Sequence, residues 1–270
     1  LFFLLFLSNV FFGQLKLDQK IDNYIALCQF DSAAIYTQKA IKQSKNKKEL
    51  LANHYIKYSI ILKGLAKKDS CFYFLDKAEE FYTQTNDQSK LFYILTIKAE
   101  IARSLVKRNI ANNYIHKAEK LLSKNKNLDY KFYFFNRRIA LLAEYYNNVP
   151  DSVIKIKEIG DFILQNQNEI KDKSIVAYTL NEIGYLDFHR NPKNAREYFL
   201  KAYQIAEKND SKMAFVDISI NLGRHFQQKE NDYPKAVFYY QNGLKQAKKI
   251  NNLWQIQQIY NELKNTTALS

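Results

Sequence analysis

A three-residue pattern recurs along the chain at intervals of about 40 residues, and it constrains the fold more than any other feature. The pattern is a small residue, an apolar residue four positions later, and a small or apolar residue three positions after that. Positions spaced in this way lie on one stripe of a helix, so each copy predicts a helix that packs a narrow face against a partner. The six copies begin 38, 40, 41, 43 and 41 residues apart and are Ala33, Thr37, Ala40; Cys71, Leu75, Ala78; Ala111, Ile115, Ala118; Ser152, Ile156, Ile159; Ala195, Phe199, Ala202; and Ala236, Tyr240, Gly243.

Residues that favour helix starts stand just before each small residue. They are Asp31, Asp69, Asn109, Pro150, Asn191-Pro192 and Asp232 with Pro234. Another apolar helix is predicted about twelve residues upstream of each small residue. In the last two copies this helix contains Ile183-Gly184 and Leu222-Gly223. Glycine in mid-helix costs about 1 kcal/mol of helix propensity, so we expect a close contact between helices at both glycines.

Leu-Gly in a first helix, followed by Ala-x-x-x-Phe-x-x-Ala in a second, resembles the tetratricopeptide repeat (TPR). The best matches are Ile183-Gly184 with Ala195 and Phe199, and Leu222-Gly223 with Tyr240. The resemblance covers roughly residues 18 to 265. It implies an all-α fold, a right-handed α-solenoid of about six TPR-like hairpins and a final helix.

The chain departs from the TPR pattern in three respects. Its period is near 40 rather than about 34 residues, and its first three repeats lack the glycine. The fourth repeat has Ile159 where the family has alanine. HEAT-like helix pairs are therefore the alternative architecture.

The N-terminal segment LFFLLFLSNVFFGQ is apolar for nearly twelve residues and then becomes polar. This length fits the core of a signal peptide better than a membrane span of about 20 residues. We therefore predict a signal peptide at 1–13, truncated at its start, and a repeat domain at 14–270. Export to the periplasm, or tethering on the extracytoplasmic face of a membrane, would follow. The tail of a membrane anchor, or a buried first element in a cytoplasmic protein, is the alternative.

Two cysteines, Cys28 and Cys71, leave a single disulfide open as an alternative to free thiols. Cys71 occupies the small-residue position of its repeat, which gives its thiol a packing role. The four histidines fall in separate repeats without paired ligand spacing, so we predict no metal site. The sequence predicts no cofactor either.

The formal net charge of +14 raises the question of nucleic-acid binding. Lysine supplies 34 of the 41 basic residues and is spread over the ends of the repeats. Phosphate and base recognition favour arginine and clustered basic surfaces, so we predict no nucleic-acid partner. The lysines indicate a solvated surface, with attraction to anionic lipid or envelope polymers as the alternative.

No motif of an activated serine, a metalloprotease or a phosphate-binding loop occurs in the sequence. The adjacent Glu79 and Glu80 point about 100 degrees apart on a helix, so they cannot act as a paired acid and base. We therefore predict that the protein is not an enzyme.

The resemblance to TPR arrays implies that the first helix of each repeat lines a ligand groove for a protein or peptide. Counting from Gly184 and Gly223 gives the residues expected on that face. The ligand-groove candidates are Tyr93, Arg103, Phe134, Arg137, Glu144, Tyr178, Asn181, Tyr185, Arg224 and Gln227, flanked by Thr96, Glu100, Leu141, Phe188, Asp217 and Ile220.

Three functions are consistent with this sequence. Arrays of longer TPR-like repeats that follow a signal peptide resemble the extracytoplasmic sensor regions of bacterial membrane histidine kinases and membrane-bound transcription regulators. A binding scaffold that serves as such an input domain is the first hypothesis, and a free-standing secreted adaptor or envelope assembly scaffold is the second. An enzyme built on a helical solenoid is the third.

The apolar last segment, from Leu253 to Leu263, has no polar helix after it. This favours an array cut from a longer chain and anchored through a missing C-terminal segment. A homodimer is also consistent with the sequence.

Overall fold

The computed structural model describes residues 15–268, which form helices joined by short turns and contain no strand. The chain divides into two compact units, Leu1–Lys126 and Asn127–Ser270. In the first unit, α1 covers 15–26 of the described residues. The helices that follow it in this unit are α2 (Phe30–Gln43), α3 (Lys48–Gly64), α4 (Lys68–Gln84), α5 (Gln88–Ser104) and α6 (Arg108–Glu119).

The second unit has the same kind of element order. A π-helical turn, Phe226–Glu230, continues one of its helices. The helices are α7 (Leu128–Tyr145), α8 (Pro150–Gln165), α9 (Ser174–Asp187), α10 (Pro192–Lys208), α11 (Lys212–His225), α12 (Tyr233–Lys249) and α13 (Leu253–Thr267).

Neighbouring helices pair into hairpins within each unit. Helix α3 packs on α4 and α5 on α6 in the first unit, and α7 packs on α8, α9 on α10 and α11 on α12 in the second. We call the odd-numbered helices the first helices and the even-numbered ones the second helices. The all-α hairpin architecture predicted from the sequence is thus confirmed.

The recurring stripe forms the core of the second helices, as predicted. All but one of its eighteen positions are buried, and Ser152 is half-buried. Thr37 is the polar member of the stripe, and its hydroxyl donates a hydrogen bond to the carbonyl of Ala33 at 2.7 Å. This bond satisfies the hydroxyl inside the helix, so threonine fits a position that is otherwise apolar.

Two glycines of first helices lie directly against aromatic rings of the paired second helices. A Cβ atom added at Gly184 would come within 2.8 Å of the Phe199 ring, and one added at Gly223 would come closer still to the Tyr240 ring. Such distances leave no room for a side chain. The expected close contact is therefore present at both positions.

Several turns between helices contain a residue with a left-handed backbone conformation. At Val106 φ is 58°, and the amide of Lys107 donates to the carbonyl of Ala102 at 2.9 Å. The same pair of features occurs at Ala66 and Asn86. This bonding pattern satisfies the last carbonyls of a helix, and glycine or asparagine usually occupies its left-handed position. The sequence signals did not predict a β-branched residue there.

The helix starts correct the sequence analysis in part. Asn191 and Asp232 are N-caps whose side chains accept hydrogen bonds from backbone amides, and Pro150 opens α8. Asp31 and Asp69, in contrast, lie one residue inside α2 and α4. A carboxylate in the first turn still interacts favourably with the helix dipole, which accounts for its position without a capping bond.

Both cysteines are buried free thiols rather than a disulfide. The Cys71 thiol donates to the carbonyl of Ser59, on the paired first helix, at 3.3 Å. Burial raises the pKa of this thiol to about 11, so it remains protonated and unreactive at neutral pH. This placement agrees with the packing role that the repeat position predicts.

The predicted signal peptide lies outside the described residues. Among the helices within 15–268, none combines the length and the apolar composition that a bilayer crossing requires. The final helix α13 buries Ile259 but exposes Leu253 and Trp254.

We predict that Gly223→Leu destabilises the protein by about 1 to 3 kcal/mol, because the new side chain overpacks the contact with Tyr240. Gln241→Leu, at an exposed position of α12, adds a similar side chain outside the core and should change stability by less than about 0.5 kcal/mol. Urea unfolding measures both values. Equal stability of the two variants would contradict a close contact between Gly223 and Tyr240.

We further predict that Val106→Gly stabilises the protein. A left-handed conformation costs an L-residue about 1 to 2 kcal/mol, and glycine removes this strain at the expense of some unfolded-state entropy. Val106 is 75% exposed, so little packing is lost. Val106→Ala, which keeps a Cβ atom, is the matched control. Thermal unfolding should show that Val106→Gly is more stable than Val106→Ala by about 0.5 to 1 kcal/mol. The opposite order would contradict backbone strain at Val106.

Candidate functional site

The first helices of the second unit lie side by side, and polar side chains meet across each contact. Helix α7 contacts α9, α9 contacts α11, and α11 contacts α13. The bonded side chains come from positions 38 to 43 residues apart, so each repeat contributes one member. We call this row of bonds the polar ladder.

Between α7 and α9, the ladder begins with the buried Asn136. Its amide donates to the Thr179 hydroxyl at 3.0 Å and to the carbonyl of Ile175 at 3.3 Å. The guanidinium of Arg137 lies 5.4 Å from the centre of the Tyr133 ring and 5.5 Å from that of Tyr178. Both distances are in the range of cation–π attraction, so the two rings hold the arginine in place.

Between α9, α11 and α13, the carboxylate of Asp217 is the central group. It accepts hydrogen bonds from the Tyr178 hydroxyl at 3.1 Å and from the Gln255 amide at 2.6 Å. The Asn221 amide also donates to the Asn181 carbonyl oxygen at 2.9 Å. Three successive first helices are therefore linked through side chains alone.

Arg224 of α11 and Glu262 of α13 form the last contact of the polar ladder. The guanidinium contacts the carboxylate at 2.6 and 2.8 Å, and both side chains are partly screened from solvent. The Tyr240 hydroxyl donates to Gln227 at 2.9 Å. Burial raises the pKa of Tyr240 well above its usual range, and the nearby Glu262 adds to the effect, so the hydroxyl remains a donor.

The first unit has a comparable set of bonds between its own first helices, with more ion pairs. Lys63 of α3 pairs with Glu100 of α5 at 2.8 Å, and the Lys90 ammonium donates to Asn53 at 2.8 Å. His54 lies 3.0 Å from Asp18 of α1. Burial lowers the pKa of His54 and outweighs the opposing effect of Asp18.

Of the ten groove candidates, the structure leaves seven at least partly exposed. Glu144 and Tyr185 are exposed, and Tyr185 has 47% of its surface accessible. The half-buried candidates are Tyr93, Arg103, Arg137, Tyr178 and Arg224. The ladder brings Arg137 together with Tyr178, and Tyr178 together with Asp217.

The other three candidates, Phe134, Asn181 and Gln227, are buried. Tyr133, one residue earlier than Phe134, is half-buried and is the ring beside Arg137. Gln227 lies in the π-helical turn, and its side chain accepts the hydrogen bond of the buried Tyr240 hydroxyl. The flanking residues Thr96, Glu100, Leu141, Phe188 and Ile220 are buried as well.

Sequence reasoning missed several members of the ladder. These are Tyr133, Asn136, Asn221, Gln255 and Glu262. A detectable signal exists, because Asn136, Asn181 and Asn221 interrupt otherwise apolar stretches of consecutive first helices at intervals of 45 and 40 residues.

The ladder offers amides, hydroxyls, carboxylates and a guanidinium, which can form hydrogen bonds and ion pairs with a bound chain. Within residues 15–268, no group of three or more histidine, cysteine, aspartate or glutamate side chains is placed to hold a metal ion.

No family model matches the chain, and no curated protein does so either. Solved structures do match it. The Rap protein complexed with competence and sporulation factor aligns with a TM-score of 0.66 and 16% identity, over 95% of this chain and 86% of that one. NprR in complex with its cognate peptide NprX aligns with a TM-score of 0.64 and 16% identity, over 94% and 74%.

A third similar structure is a signal transduction ATPase with numerous domains from Pyrococcus horikoshii, which has a tetratricopeptide repeat sensor. It aligns with a TM-score of 0.62 and 15% identity, over 90% of this chain but only 36% of that one. At such low identities the likeness shows the fold alone. This chain therefore has a TPR-like α-solenoid fold, as the sequence predicts.

Proposed function

We propose that this protein is a non-catalytic scaffold that binds a peptide or protein segment along the first helices of its second unit. The polar ladder is the observation that carries this proposal. Its groups are fixed by bonds between helices, so they are preorganised before a ligand arrives. Preorganised donors and acceptors suit the recognition of a peptide main chain.

The exposure of the side chains supports this location. Tyr185 lies two turns beyond Tyr178 on α9, and Arg224 is about one-third exposed on the neighbouring α11. Tyrosine and arginine are residues that frequently anchor interfaces. The solved structure of NprR, which has this fold, holds its cognate peptide NprX, and that of Rap holds competence and sporulation factor.

We further propose that the scaffold is the extracytoplasmic input domain of a bacterial signalling protein. The apolar segment at 1–12 supports export, and a TPR sensor in the Pyrococcus ATPase shows that this fold serves as an input module elsewhere. The proposed input role rests on this apolar segment and on the analogy of fold with the Pyrococcus ATPase.

The binding proposal predicts that Tyr185→Ala weakens the binding of a peptide selected from a library of random peptides of about twelve residues. Loss of an aromatic anchor should raise Kd about tenfold or more. Isothermal titration calorimetry with the selected peptide measures the change.

Phe238→Ala is the matched control, because Phe238 is an aromatic residue of the second helix α12 with 56% exposure. This variant should bind with unchanged affinity. Selected peptides that bind both variants equally, or that respond only to Phe238→Ala, would contradict binding along the first helices.

The export proposal predicts that residues 1–30, placed after an initiator methionine and a basic residue, direct a reporter enzyme out of the bacterial cytoplasm. The matched fusion without residues 1–13 should keep the reporter inside. Equal activity of an export-dependent reporter in both fusions would contradict an export signal and leave the binding proposal intact.

A further inference from the structure

A pocket of about 260 Å³ lies between α10, α11 and α12 of the second unit. Its wall includes the turn at Asp210 and Ser211, where α10 connects to α11. The polar ladder involves other residues of α11, namely Asp217, Asn221 and Arg224. The pocket is therefore a separate site from the proposed groove, and its function is independent of peptide binding there.

Aromatic side chains form one side of this pocket. The rings of Tyr203 and Phe215 have their centres 4.5 Å apart, and Ala206 lies beside them. Such a surface favours an apolar or aromatic portion of a ligand, because contact with it removes apolar area from water.

The hydroxyl of Tyr203 supplies a directional polar group. Its oxygen accepts a hydrogen bond from the Asn242 amide at 3.2 Å. Burial raises the pKa of Tyr203 to about 12, so the hydroxyl keeps its proton at neutral pH. One hydroxyl can accept and donate at the same time, which leaves its proton for an acceptor on a ligand.

Two lysines of α12 provide positive charge at the pocket. Lys245 and Lys249 are four residues apart, so they project from the same face of the helix. Neither has an ion-pair partner within residues 15–268. Lys212, also in the wall, is instead paired with Asp210 at 3.4 Å.

A negative group also lines the pocket. Glu207 lines the pocket together with the two lysines. This carboxylate offsets part of the positive charge of the lysines. Inorganic phosphate has no apolar body to pack on the aromatic wall, so it should bind less tightly than an organic carboxylate. The lining thus combines two unpaired lysines, the Lys212–Asp210 ion pair, the Glu207 carboxylate, a hydroxyl donor and an aromatic wall.

We propose that this pocket binds a small organic monocarboxylate with an apolar or aromatic body. The carboxylate lies at Lys245 and Lys249 and accepts the proton of the Tyr203 hydroxyl in a hydrogen bond. The body of the ligand packs on the Phe215 ring. The volume is enough for one small molecule, below the usual range of about 300 to 1,000 Å³ for drug-sized ligands.

Amide NMR spectra recorded during titration with 3-phenylpropionate test this proposal. We expect saturable shifts at Ser211, Phe215 and Asn242. The double variant Lys245→Ala/Lys249→Ala should weaken binding about tenfold or more, because charge-assisted hydrogen bonds are lost. Tyr203→Phe should weaken it by a smaller factor, since only one neutral donor is removed.

Lys248→Ala is the matched control, because Lys248 is an exposed lysine of the same helix outside the pocket wall. It should leave the affinity unchanged, and the lysine variants should keep the fold because these side chains are exposed. Absence of saturable shifts, equal weakening by Lys248→Ala, or binding of inorganic phosphate as tight as that of 3-phenylpropionate would each overturn the proposal.

Discussion

The contact between a glycine backbone in a first helix and an aromatic ring in its partner determines how closely the α9–α10 and α11–α12 hairpins of the second unit can close. Gly184 meets Phe199, and Gly223 meets Tyr240. Any side chain at these glycines would push the helices apart, because interiors are packed too densely to accept extra atoms. Closely packed hairpins in turn allow neighbouring first helices to approach, and this approach brings the polar ladder together.

The ladder shows why this surface is suited to binding rather than only to stability. Apolar residues in the same places would pack without needing partners, whereas Asn136 and Asp217 require well-placed hydrogen bonds when they are shielded from water. The chain meets this requirement with Thr179, Tyr178 and Gln255. Such bonds hold functional groups in fixed directions at a face that is still partly open to solvent.

The sequence predicts the hairpins well because helix periodicity and glycine contacts are local or recur at a fixed interval. The direction of each side chain is less predictable from the sequence, because it depends on packing against neighbouring helices, which leaves no clear local pattern. Gln227 is buried and accepts a hydrogen bond from Tyr240, and Phe134 is buried whereas the neighbouring Tyr133 is half-buried beside Arg137. The left-handed backbone conformation of Val106 could not be predicted from the sequence either. The tertiary contacts of the hairpin outweigh the preference of valine for other backbone conformations.

Hydrogen exchange with a library-selected peptide bound would show directly whether ligands bind along the first helices. We predict slower exchange in α9 and α11, which contribute Tyr185 and Arg224, with little change in the second helices α10 and α12. Protection confined to α10 and α12 would contradict it, because the peptide would then occupy the opposite side of the hairpins.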